Sequence, residues 1–512
     1  MMNEKWEEQF REQIHEFVGT IEKFDKGEID RKAYKGISGG FGSYAQHDPS
    51  KHMLRLRMAG GNLTEKRLEF LAEAVRDYGV ELMKLTTCET VQLHNLKAEQ
   101  VPVLMEKAIA SEIYSRGGGG DNPRNIMMSP LSGVQKGEAF DVKPYAEAAA
   151  EYLLSIAGEI HMPRKLKVAF CNGADDSVHS AFRDMGFMAN PDGTFTLRIA
   201  GGLGGGYKMG VLVDEHVPAT EILYYIRAMI ETFCQHGNYE NRAKARTRFM
   251  QETMGVDGLK AAFLENVAKV KEKGGLDLHV KAKPVTKKGS GEISGKRVVA
   301  QKQPGLYAVA YHPIGGCLPA GKPAELLTLV REIPDAECRI APHETIYIIN
   351  LTADEAEKVL EATNDGAQST FENSVACIGA AICQQGVRDS QAALRAAVEA
   401  VREAKIPDGA LPRICISGCP SSCSGHQVAA LGFQGAAKTV DGKPESAFKM
   451  FVGGSDKLGA AKFGEAGAVI LERDLPKFFV DLGKAVASRN MNWETWIVGH
   501  EDEFKAIVEK YA

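Results

Sequence analysis

The chain has 512 residues, of which 44% are hydrophobic and 25% charged, and its formal net charge is −5 at pH 7. This composition is typical of a globular protein with several domains, and it excludes a disordered, collagen-like or membrane-embedded chain. With 62 Lys+Arg against 67 Asp+Glu, nothing in the charge balance calls for a nucleic acid partner. No apolar run is long enough to span a bilayer and no signal peptide is recognisable at the start, so we expect a cytoplasmic protein without membrane contact.

Residues 53–110 combine strand and helix patterns. The run MLRLRMAGG predicts a strand that ends in a Gly-Gly turn, a helical pattern follows, and a further strand, a short loop and a second helix come next. The same order begins again at YAVAYHPIGG, and Gly61 precedes Cys88 by as many residues as Gly316 precedes His343. We therefore predict an internally duplicated chain with two ferredoxin-like units related by a pseudo-twofold axis.

A weaker repeat follows each ferredoxin-like unit. MPRKLK leads into VAFCNGADD after the first unit, and LPR leads into ICISGCPSSC after the second. The predicted fold class is thus a mixed α+β and α/β protein in which each half adds an α/β unit to a ferredoxin-like one. The predicted domains are an N-terminal extension with the first ferredoxin-like half at 1–120, an α/β domain at 121–280, a linker at 281–303, the second ferredoxin-like half at 304–370 and a second α/β domain at 371–512.

The segment 281–303 is rich in lysine and is punctuated by Gly, Ser and Pro. Such a composition is typical of a solvated connector between domains. It also fits a docking patch for an acidic protein, and the sequence leaves both interpretations open.

Cysteines are concentrated near the C-terminus. Cys377 and Cys383 are separated by five residues, whereas Cys419 and Cys423 are separated by three. Two pairs of thiolates could hold zinc or an iron–sulfur cluster, although five intervening residues are many for a structural zinc knuckle. Ser417-Gly418-Cys419-Pro420 predicts a strand end, a tight turn and a helix with proline in its first position. We favour a [4Fe–4S] cluster over zinc or four buried thiols, with Cys415 on the preceding strand taking no part.

The two cysteine pairs, the second of them within SGCPSSC, resemble the signature of the sirohaem-dependent sulfite and nitrite reductases. The resemblance covers nearly the whole chain, because LTTCETVQLH, NPRNIMMSP, MPRKLK, GGLGGG, NRAKAR and FVGGS also occur in the family's order. It implies a trilobed, duplicated fold that holds one [4Fe–4S] cluster and one sirohaem. By the same resemblance Cys377, Cys383, Cys419 and Cys423 would hold the cluster, and Cys423 would also be the axial ligand of the sirohaem iron.

The resemblance further implies a cage of cations around a small anion, sulfite or nitrite. Arg124 matches one of the family's substrate arginines, and Lys165 and Lys167 match its lysine pair. Alternation along a strand places Lys165 and Lys167 on one face. The second substrate arginine is replaced here by Cys88, which leaves three interpretations: a changed substrate preference, a non-catalytic member, or replacement by a nearby Lys or Arg.

Sirohaem bears eight carboxylates and needs cationic and N–H partners. Our candidates for these contacts are Arg55, Arg57, Gly201, Gly202, Gly204, Arg242 and Arg246. Since the chain shows no flavin or nicotinamide fingerprint, electrons are expected from a ferredoxin or a flavoprotein.

The predicted function is the six-electron reduction of sulfite to sulfide, because Lys at position 167 resembles the sulfite reductases more than the nitrite reductases. Reduction of nitrite to ammonia by the same centre is the alternative. A non-catalytic electron-transfer or anion-sensing protein and a zinc-stapled structural protein are the rivals from other classes.

Overall fold

The computed structural model describes residues 4–512 of the chain, with side chains from residue 6 onward. Two compact units are present. The first runs to Ala310 and also includes Leu318–Pro342 and Ile346–Ala362, whereas the second comprises Tyr311–Cys317, His343–Thr345 and Thr363–Ala512. Within the described residues no helix is long and apolar enough to cross a membrane.

The elements follow the chain in four groups. The first ferredoxin-like half contains α1 Glu4–Asp25, α2 Arg31–Ser38, β1 Ser43–Ala45, β2 His52–Leu56, β3 Asn62–Leu63, α3 Glu65–Tyr78, β4 Leu82–Leu85, β5 Val91–Leu96 and α4 Gln100–Ala110. The first α/β domain contains β6 Met127–Met128, α5 Lys143–Ser155, β7 Val168–Cys171, β8 Met185–Ala189, β9 Thr194–Ile199, β10 Val211–Pro218, α6 Ile222–His236, α7 Met250–Thr253 and α8 Gly255–Lys273.

The other two groups repeat this plan. The second ferredoxin-like half contains β11 Val298–Ala300, β12 Tyr307–Tyr311, β13 Cys317–Leu318, α9 Lys322–Glu332, β14 Glu337–Ile340, β15 Ile346–Leu351 and α10 Ala353–Ala362. The second α/β domain contains β16 Val375–Ala376, α11 Ser390–Glu403, β17 Ile414–Ser417, β18 Leu431–Val440, β19 Lys443–Val452, β20 Glu465–Leu471, α12 Leu475–Ser488, α13 Trp493–Gly499 and α14 Glu501–Glu509.

Strand positions confirm the predicted duplication. Strands β2, β3, β4 and β5 start at residues 52, 62, 82 and 91, and β12, β13, β14 and β15 start at 307, 317, 337 and 346, a constant spacing of 255 residues. The sheets run β1-β2-β5-β4-β13 and β11-β12-β15-β14-β3, so each repeat lends its short third strand to the other's sheet. The Gly-Gly turn before that strand has positive φ at both residues in both copies, which glycine adopts without a steric cost.

The predicted order of elements was wrong in one respect, since the structure has two strands where one was expected. The stretch LTTCETVQLHNL contains the end of β4, a turn and β5, which pair antiparallel. The turn forms because Thr86 N donates to Thr90 O at 3.0 Å and Glu89 adopts a φ of 55°. Cys88 therefore lies in a hairpin turn and not within a strand.

The α/β domains share one sheet plan, β6-β7-β8-β9-β10 in the first and β16-β17-β18-β19-β20 in the second. In each sheet the first three strands are parallel to one another. The fourth strand is antiparallel to the third, and the fifth is antiparallel to the fourth. Strand β9 alternates half-buried and buried residues, as expected of a sheet that covers a core on one face. The first core includes Phe170, Phe187 and Phe195, and the second Phe433, Phe479 and Trp496.

Residues 274–297, which include most of the predicted linker, contain no helix or strand, and the chain then enters β11. Lys287 Nζ lies 2.7 Å from Glu355 Oε2, and Lys302 Nζ lies 2.6 Å from Glu138 Oε1. At least two lysines of the predicted linker 281–303 are thus ion-paired within the first unit. The domain limits given above remain a prediction.

Gly186 on β8 and Gly432 on β18 occupy equivalent places, each beside a 3₁₀ turn. A Cβ at Gly186 would lie 2.0 Å from Ser180 O, and one at Gly432 would lie 1.8 Å from His426 O. We expect Gly186→Ala to destabilise the first unit by on the order of 1–3 kcal/mol, because backbone atoms must move to accept the methyl group. The melting temperature should fall accordingly.

The control is Gly36→Ala in α2, where a Cβ would meet nothing within 4 Å. Alanine in a helix should leave stability unchanged or raise it slightly. Equal melting temperatures for Gly186→Ala and the control would contradict the close approach at Gly186.

Candidate functional site

The predicted site residues fall into two groups, cations in the first unit and cysteines in the second. The first group is built around the β4–β5 turn that carries Cys88. Asn125 Nδ2 donates to Cys88 O at 2.9 Å and to Glu89 O at 3.2 Å, and its Oδ1 accepts from Met58 N at 3.0 Å. The Asn-Pro-Arg-Asn segment therefore fixes this turn, and Asn125 explains why Arg124 lies near Cys88.

The Cys88 side chain is half-buried among cations. It packs against the buried cluster formed by Met127, Ala169, Cys171 and Val178. Burial raises the pKa of this thiol, but Lys167, Arg183 and Arg55 outweigh that effect and hold the pKa at about 6. Cys88 is thus a thiolate at neutral pH, stabilised by the positive charges around it.

Lys165 and Lys167 precede β7 on either side of Leu166, which is buried and bridges to Pro123. The two lysines lie on the opposite side of this extended segment from Leu166 and are half-buried. Lys167 hydrogen-bonds to Cys88, and burial lowers the pKa of its ammonium group, with Arg183 and Arg246 acting in the same direction. The structure therefore brings Lys167 and Cys88 together.

Asp184 connects several segments of this region. Its side chain is fully buried, its Oδ2 accepts from Lys167 N at 2.9 Å, and Arg246 Nη2 lies 2.8 Å from the same oxygen. Thr247 Oγ1 donates to the other carboxylate oxygen, Oδ1. A buried carboxylate is costly unless it is paired in this way, so Asp184 holds Lys167 and Arg246 in fixed places.

Arg183 is a cation that the sequence reasoning missed. Its Nε donates to Val178 O at 2.8 Å, and its Nη2 approaches Thr87 O at 3.5 Å. The side chain is buried and lies beside Cys88 and Lys167. A single arginine outside the recognised motifs gave no signal in the sequence, because only the fold brings it to the β4–β5 turn.

Arg55, Arg57 and Arg124 all reach the glycine run Gly117–Gly120 or its borders. Arg124 donates to Gly117 O at 3.2 Å, to Gly119 O, and to Gly120 O at 2.8 Å. Arg55 Nη1 donates to Gly118 O at 2.7 Å, and Arg57 Nη1 to Arg116 O at 2.9 Å. Burial lowers the pKa of Arg57 to about 9 and that of Arg124 to about 10, and the nearness of like charges contributes to both shifts.

The second glycine run, Gly201–Gly206, lies against Arg248. This side chain, also missed in the sequence, donates from Nε to Gly206 O at 3.0 Å and from Nη2 to Gly205 O at 2.6 Å. A Cβ at Gly202 would lie 3.2 Å from Arg248 Nη1, whereas one at Gly201 would lie 2.7 Å from Arg183 O. Gly204 has a φ of 98°, which favours glycine at this turn.

Arg242 is placed differently from the other candidates. Its side chain is 60% exposed and forms a two-point ion pair with Asp121, at 2.8 and 3.0 Å. Arg164, a further cation of this region, lies 3.5 Å from the same carboxylate. Arg242 thus shares Asp121 with Arg164 at the edge of the cationic region.

Several guanidinium nitrogens of this region are buried without a hydrogen-bond partner among the described residues: Arg164 Nε, Arg246 Nε and Arg248 Nη1. Buried donors in native proteins are nearly always satisfied. The residues present therefore fit a ligand that carries several carboxylates, as sirohaem does.

The cysteines of the second unit lie on two connected loops. Gly418 O accepts from Val387 N and Arg388 N, both at 2.9 Å, and Cys377 N donates to Ile416 O at 3.1 Å. A Cβ at Gly418 would lie 2.3 Å from Arg388 O, so only glycine permits this approach. The loop that carries Cys383 is thereby fastened to the turn that carries Cys419.

The sulfurs in these loops accept backbone N–H groups. Gly418 N donates to Cys377 Sγ at 3.2 Å and Gln385 N to Cys383 Sγ at 3.4 Å. Burial raises the pKa of Cys383, and the nearby Cys377 and Cys419 raise it further. Cys383 close to two further thiols, with N–H donors aimed at the sulfurs of Cys377 and Cys383, suits an iron–sulfur cluster. Cys419 is buried, whereas Cys423 is exposed.

In the described chain no three His, Cys, Asp or Glu side chains are close enough together to bind a single metal ion. Zinc–sulfur bonds of about 2.3 Å would bring ligand sulfurs to within roughly 4 Å of one another. Within the described residues the predicted cysteines show no such grouping around a single metal ion. Cys415 is buried on β17, and burial raises its pKa to about 12, in keeping with an inert thiol.

The predicted helix start at Pro420 is wrong. Residues 418–425 form bends and turns, and the next helical turn is a 3₁₀ segment at His426–Val428. Ser422 adopts a φ of 53°, which interrupts any helix begun at Pro420. The predicted end of β17 at Ser417 is confirmed.

Comparisons with known proteins agree with this chemistry. A family model described as the nitrite and sulphite reductase 4Fe-4S domain matches residues 119–271, and one described as the nitrite/sulfite reductase ferredoxin-like half domain matches residues 44–111. A ferredoxin–nitrite reductase of Synechococcus elongatus is 28% identical over 485 residues, covering 91% of each chain. The chloroplastic enzyme of Arabidopsis thaliana is 27% identical over 85% of this chain and 75% of its own.

The solved structure of the Mycobacterium tuberculosis NirA protein has a TM-score of 0.79 and covers 98% of this chain and 97% of its own, at 22% identity. At that identity the likeness concerns the fold. It confirms the predicted duplicated architecture.

The thiol of Cys88 gives the first test of the cationic region. We expect the rate of Cys88 alkylation by iodoacetamide to rise with pH around a midpoint of about 6, because Lys167 and its neighbours stabilise the thiolate. Lys167→Met should move the midpoint upward. The rate is measured by mass spectrometry of the peptide that contains Cys88.

Cys338 and Cys415 serve as internal controls, because burial raises the pKa of each to about 12 and they should alkylate slowly throughout. A Cys88 midpoint near 9, unchanged in Lys167→Met, would show that the cations do not act on the thiol.

Proposed function

Because the chain belongs to the sirohaem-dependent nitrite and sulfite reductase family, whose cofactors are a sirohaem and a [4Fe–4S] cluster, we propose that it reduces sulfite to sulfide. The observation that carries this proposal is the pair Lys165 and Lys167, which share one side of the segment before β7 while Lys167 contacts Cys88. Together with Arg124 and Arg183 they concentrate positive charge where a small anion would bind. Sulfite is present in part as a dianion at neutral pH, and the dianion gains more from such a site than the nitrite monoanion does.

Nitrite is the second candidate. It is supported by the relatives named above, which carry the name ferredoxin–nitrite reductase, and by a Haloferax mediterranei protein called an assimilatory ferredoxin-dependent nitrite reductase, 26% identical over 79% of this chain. Nitrite also has two oxygens to be removed as water. The same lysines would serve either substrate.

The sirohaem, when bound, supplies an iron to which the anion attaches and through which electrons reach it. The chain's own residues supply charge and protons. Arg124 adds a fixed positive charge, since its N–H donors bind carbonyls of the glycine run, and Lys167 donates a proton from Nζ more readily because burial lowers its pKa. Asp184 positions Lys167 by accepting a hydrogen bond from the backbone N–H of Lys167.

The residues proposed to hold the sirohaem carboxylates are those of the cationic region outside the Cys88 turn. Arg246 and Arg248 have buried donors without hydrogen-bond partners in the described part of the chain. Gly201, Gly202 and Gly204 are included in the proposal, and Gly202 lies against the Arg248 guanidinium. Arg55 and Arg57 contribute positive charge, since Arg55 already donates to Gly118 O and Arg57 to Arg116 O and Arg124 O. Arg242 would contribute only after release from Asp121.

We further propose that Cys377, Cys383, Cys419 and Cys423 would hold the cluster and that Cys423 would also serve as a ligand of the sirohaem, as the resemblance implies. Electrons then come from a separate donor protein, and the names of the relatives support a ferredoxin. The predicted cytoplasmic location is retained as part of this proposal.

The substrate proposal is tested with anaerobically purified protein and a reduced viologen as donor. We expect kcat/KM for sulfite to exceed that for nitrite. Lys167→Gln should lower kcat/KM for sulfite by roughly 100-fold or more, since both a charge and a proton donor are lost, and should affect nitrite less.

The matched control is Lys287→Gln, a half-buried lysine that pairs with Glu355 away from this region. It should leave both kcat/KM values unchanged. A preference for nitrite in the unmodified protein, or equal losses for both anions in Lys167→Gln, would contradict the sulfite proposal.

The cluster proposal is tested by substituting cysteines one at a time. Cys383→Ser should lose the electron paramagnetic resonance signal of the reduced [4Fe–4S] cluster and most of the non-haem iron, because serine is a poor ligand for iron in such clusters. Cys415→Ser, next to the site but outside the ligand set, should keep both. Loss of the cluster in Cys415→Ser together with its retention in Cys383→Ser would overturn the assignment.

A further inference from the structure

We infer that Arg183 supplies the positive charge toward the substrate anion that the arginine at position 88 supplies in the resembling family. The inference rests on the proposed function, since it concerns the same anion. It makes Arg183 an anion-binding residue that neither the motifs nor the comparisons indicate. Cys88 and Arg183 would then form a compensating pair, with a small residue in the turn and a cation arriving from another strand.

The placement of Arg183 carries the first step. It follows the 3₁₀ turn Ser180–Phe182 and precedes β8, and a hydrogen bond of 2.8 Å from its Nε to Val178 O fixes the root of the guanidinium. From there Nη2 reaches Thr87 O, the residue before Cys88. The positive charge thus lies beside position 88 although its Cα belongs to a different domain.

The donors of Arg183 carry the second step. The contact from Nη2 to Thr87 O is long, at 3.5 Å, and Nη1 has no hydrogen-bond acceptor among the described residues. Nη1 is not sealed from solvent either. Arg183 therefore differs from Arg124, which gives its donors to three carbonyls of the glycine run, because it keeps N–H groups available for an incoming anion.

The third step concerns the charges that face Arg183. Lys167 and Cys88 lie on one side, and Glu89 is also near. Glu89 is fully buried, accepts from Met128 N at 3.0 Å, and burial raises its pKa well above the usual range. Burial thus favours the protonated form of Glu89, and the Cys88 thiol is the acidic group that lies beside Arg183.

An arginine at position 88 would have to share this space with Lys167 and Arg183. Like charges at such distances repel strongly in a site with little water. The cysteine and Arg183 therefore belong together. The small cysteine side chain leaves room for Arg183, and Arg183 supplies the positive charge of the arginine that position 88 lacks.

The test uses the holoenzyme and four variants: Arg183→Gln, Arg183→Lys, the double variant Cys88→Arg/Arg183→Gln, and Arg67→Gln as a control. Arg67 is a partly buried arginine that donates to Asn62 O at 2.7 Å and Glu112 O at 3.0 Å, outside the site. Dissociation constants for sulfite and nitrite are measured by the change in the sirohaem absorption spectrum, alongside kcat and KM. Sirohaem and iron contents establish that each variant is loaded.

We expect Arg183→Gln to weaken binding of both anions by about tenfold or more, consistent with the loss of one close charge, with a smaller effect on kcat. Arg183→Lys and the double variant should bind within about threefold of the unmodified protein, because each keeps one cation beside position 88. The midpoint of Cys88 alkylation should rise in Arg183→Gln and stay unchanged in the control.

A fully loaded Arg183→Gln protein with unchanged dissociation constants would overturn the inference. So would a double variant that binds no better than Arg183→Gln alone. If Arg183→Gln does not load its cofactors, the double variant and Arg183→Lys decide the matter. Absence of turnover in the unmodified protein, with anion binding that depends on Arg183, would refute the proposed function and leave this inference standing.

Discussion

Buried positive charge that exceeds the nearby negative charge is the constraint on which the first unit depends. Arg57, Arg124, Arg183 and Arg248 are at most 8% exposed, and Arg246 and Lys167 lie among them. The Asp184 carboxyl group lies in their midst, fully buried and shared by Arg246, Thr247 and the backbone of Lys167. Burying a charge is costly unless something offsets it. Carbonyls of the two glycine runs offset part of this cost, and anionic ligands are needed for the rest.

The glycine runs have a structural reason in this setting. Carbonyl oxygens of Gly117–Gly120 accept from Arg55 and Arg124, and those of Gly205 and Gly206 accept from Arg248. A side chain at Gly202 would touch the Arg248 guanidinium. The runs therefore solvate guanidinium groups with backbone dipoles. Such an arrangement favours carboxylates and small oxyanions over cations or neutral ligands.

Much of the fold could be predicted from the sequence because duplication repeats the same pattern twice. The Gly-Gly turns at 60–61 and 315–316 and the strands after them fall in one register. The division of LTTCETVQLHNL into two strands was missed, because Thr86, Thr90 and the left-handed Glu89 close a turn that no glycine or proline marks. The helix expected at Pro420 failed for a similar reason, since Ser422 takes a left-handed conformation that its residue type does not announce.

The site was predictable where it consists of motifs and hidden where it depends on the fold. Lys165 and Lys167, Arg124 and the cysteine loops lie in runs that resemble a known signature. Arg183 and Arg248 stand outside those runs or beside them. Only the approach of the segment before β8 to the β4–β5 turn gives Arg183 a role, and only contacts with Gly205 and Gly206 give Arg248 one. The exposure of Arg242 and its ion pair with Asp121 could not be predicted from the sequence either, because the two residues lie far apart along the chain.

The most direct test of the central claim is the binding of carboxylated tetrapyrroles to the full chain produced without sirohaem. The excess of buried guanidinium groups predicts that uroporphyrin, with eight carboxylates, raises the melting temperature, and that salt or Arg248→Gln weakens this effect. Mesoporphyrin, with two carboxylates on a similar ring, should raise it much less. Equal effects of the two compounds, insensitive to salt, would show that the ring alone is recognised and would contradict the account.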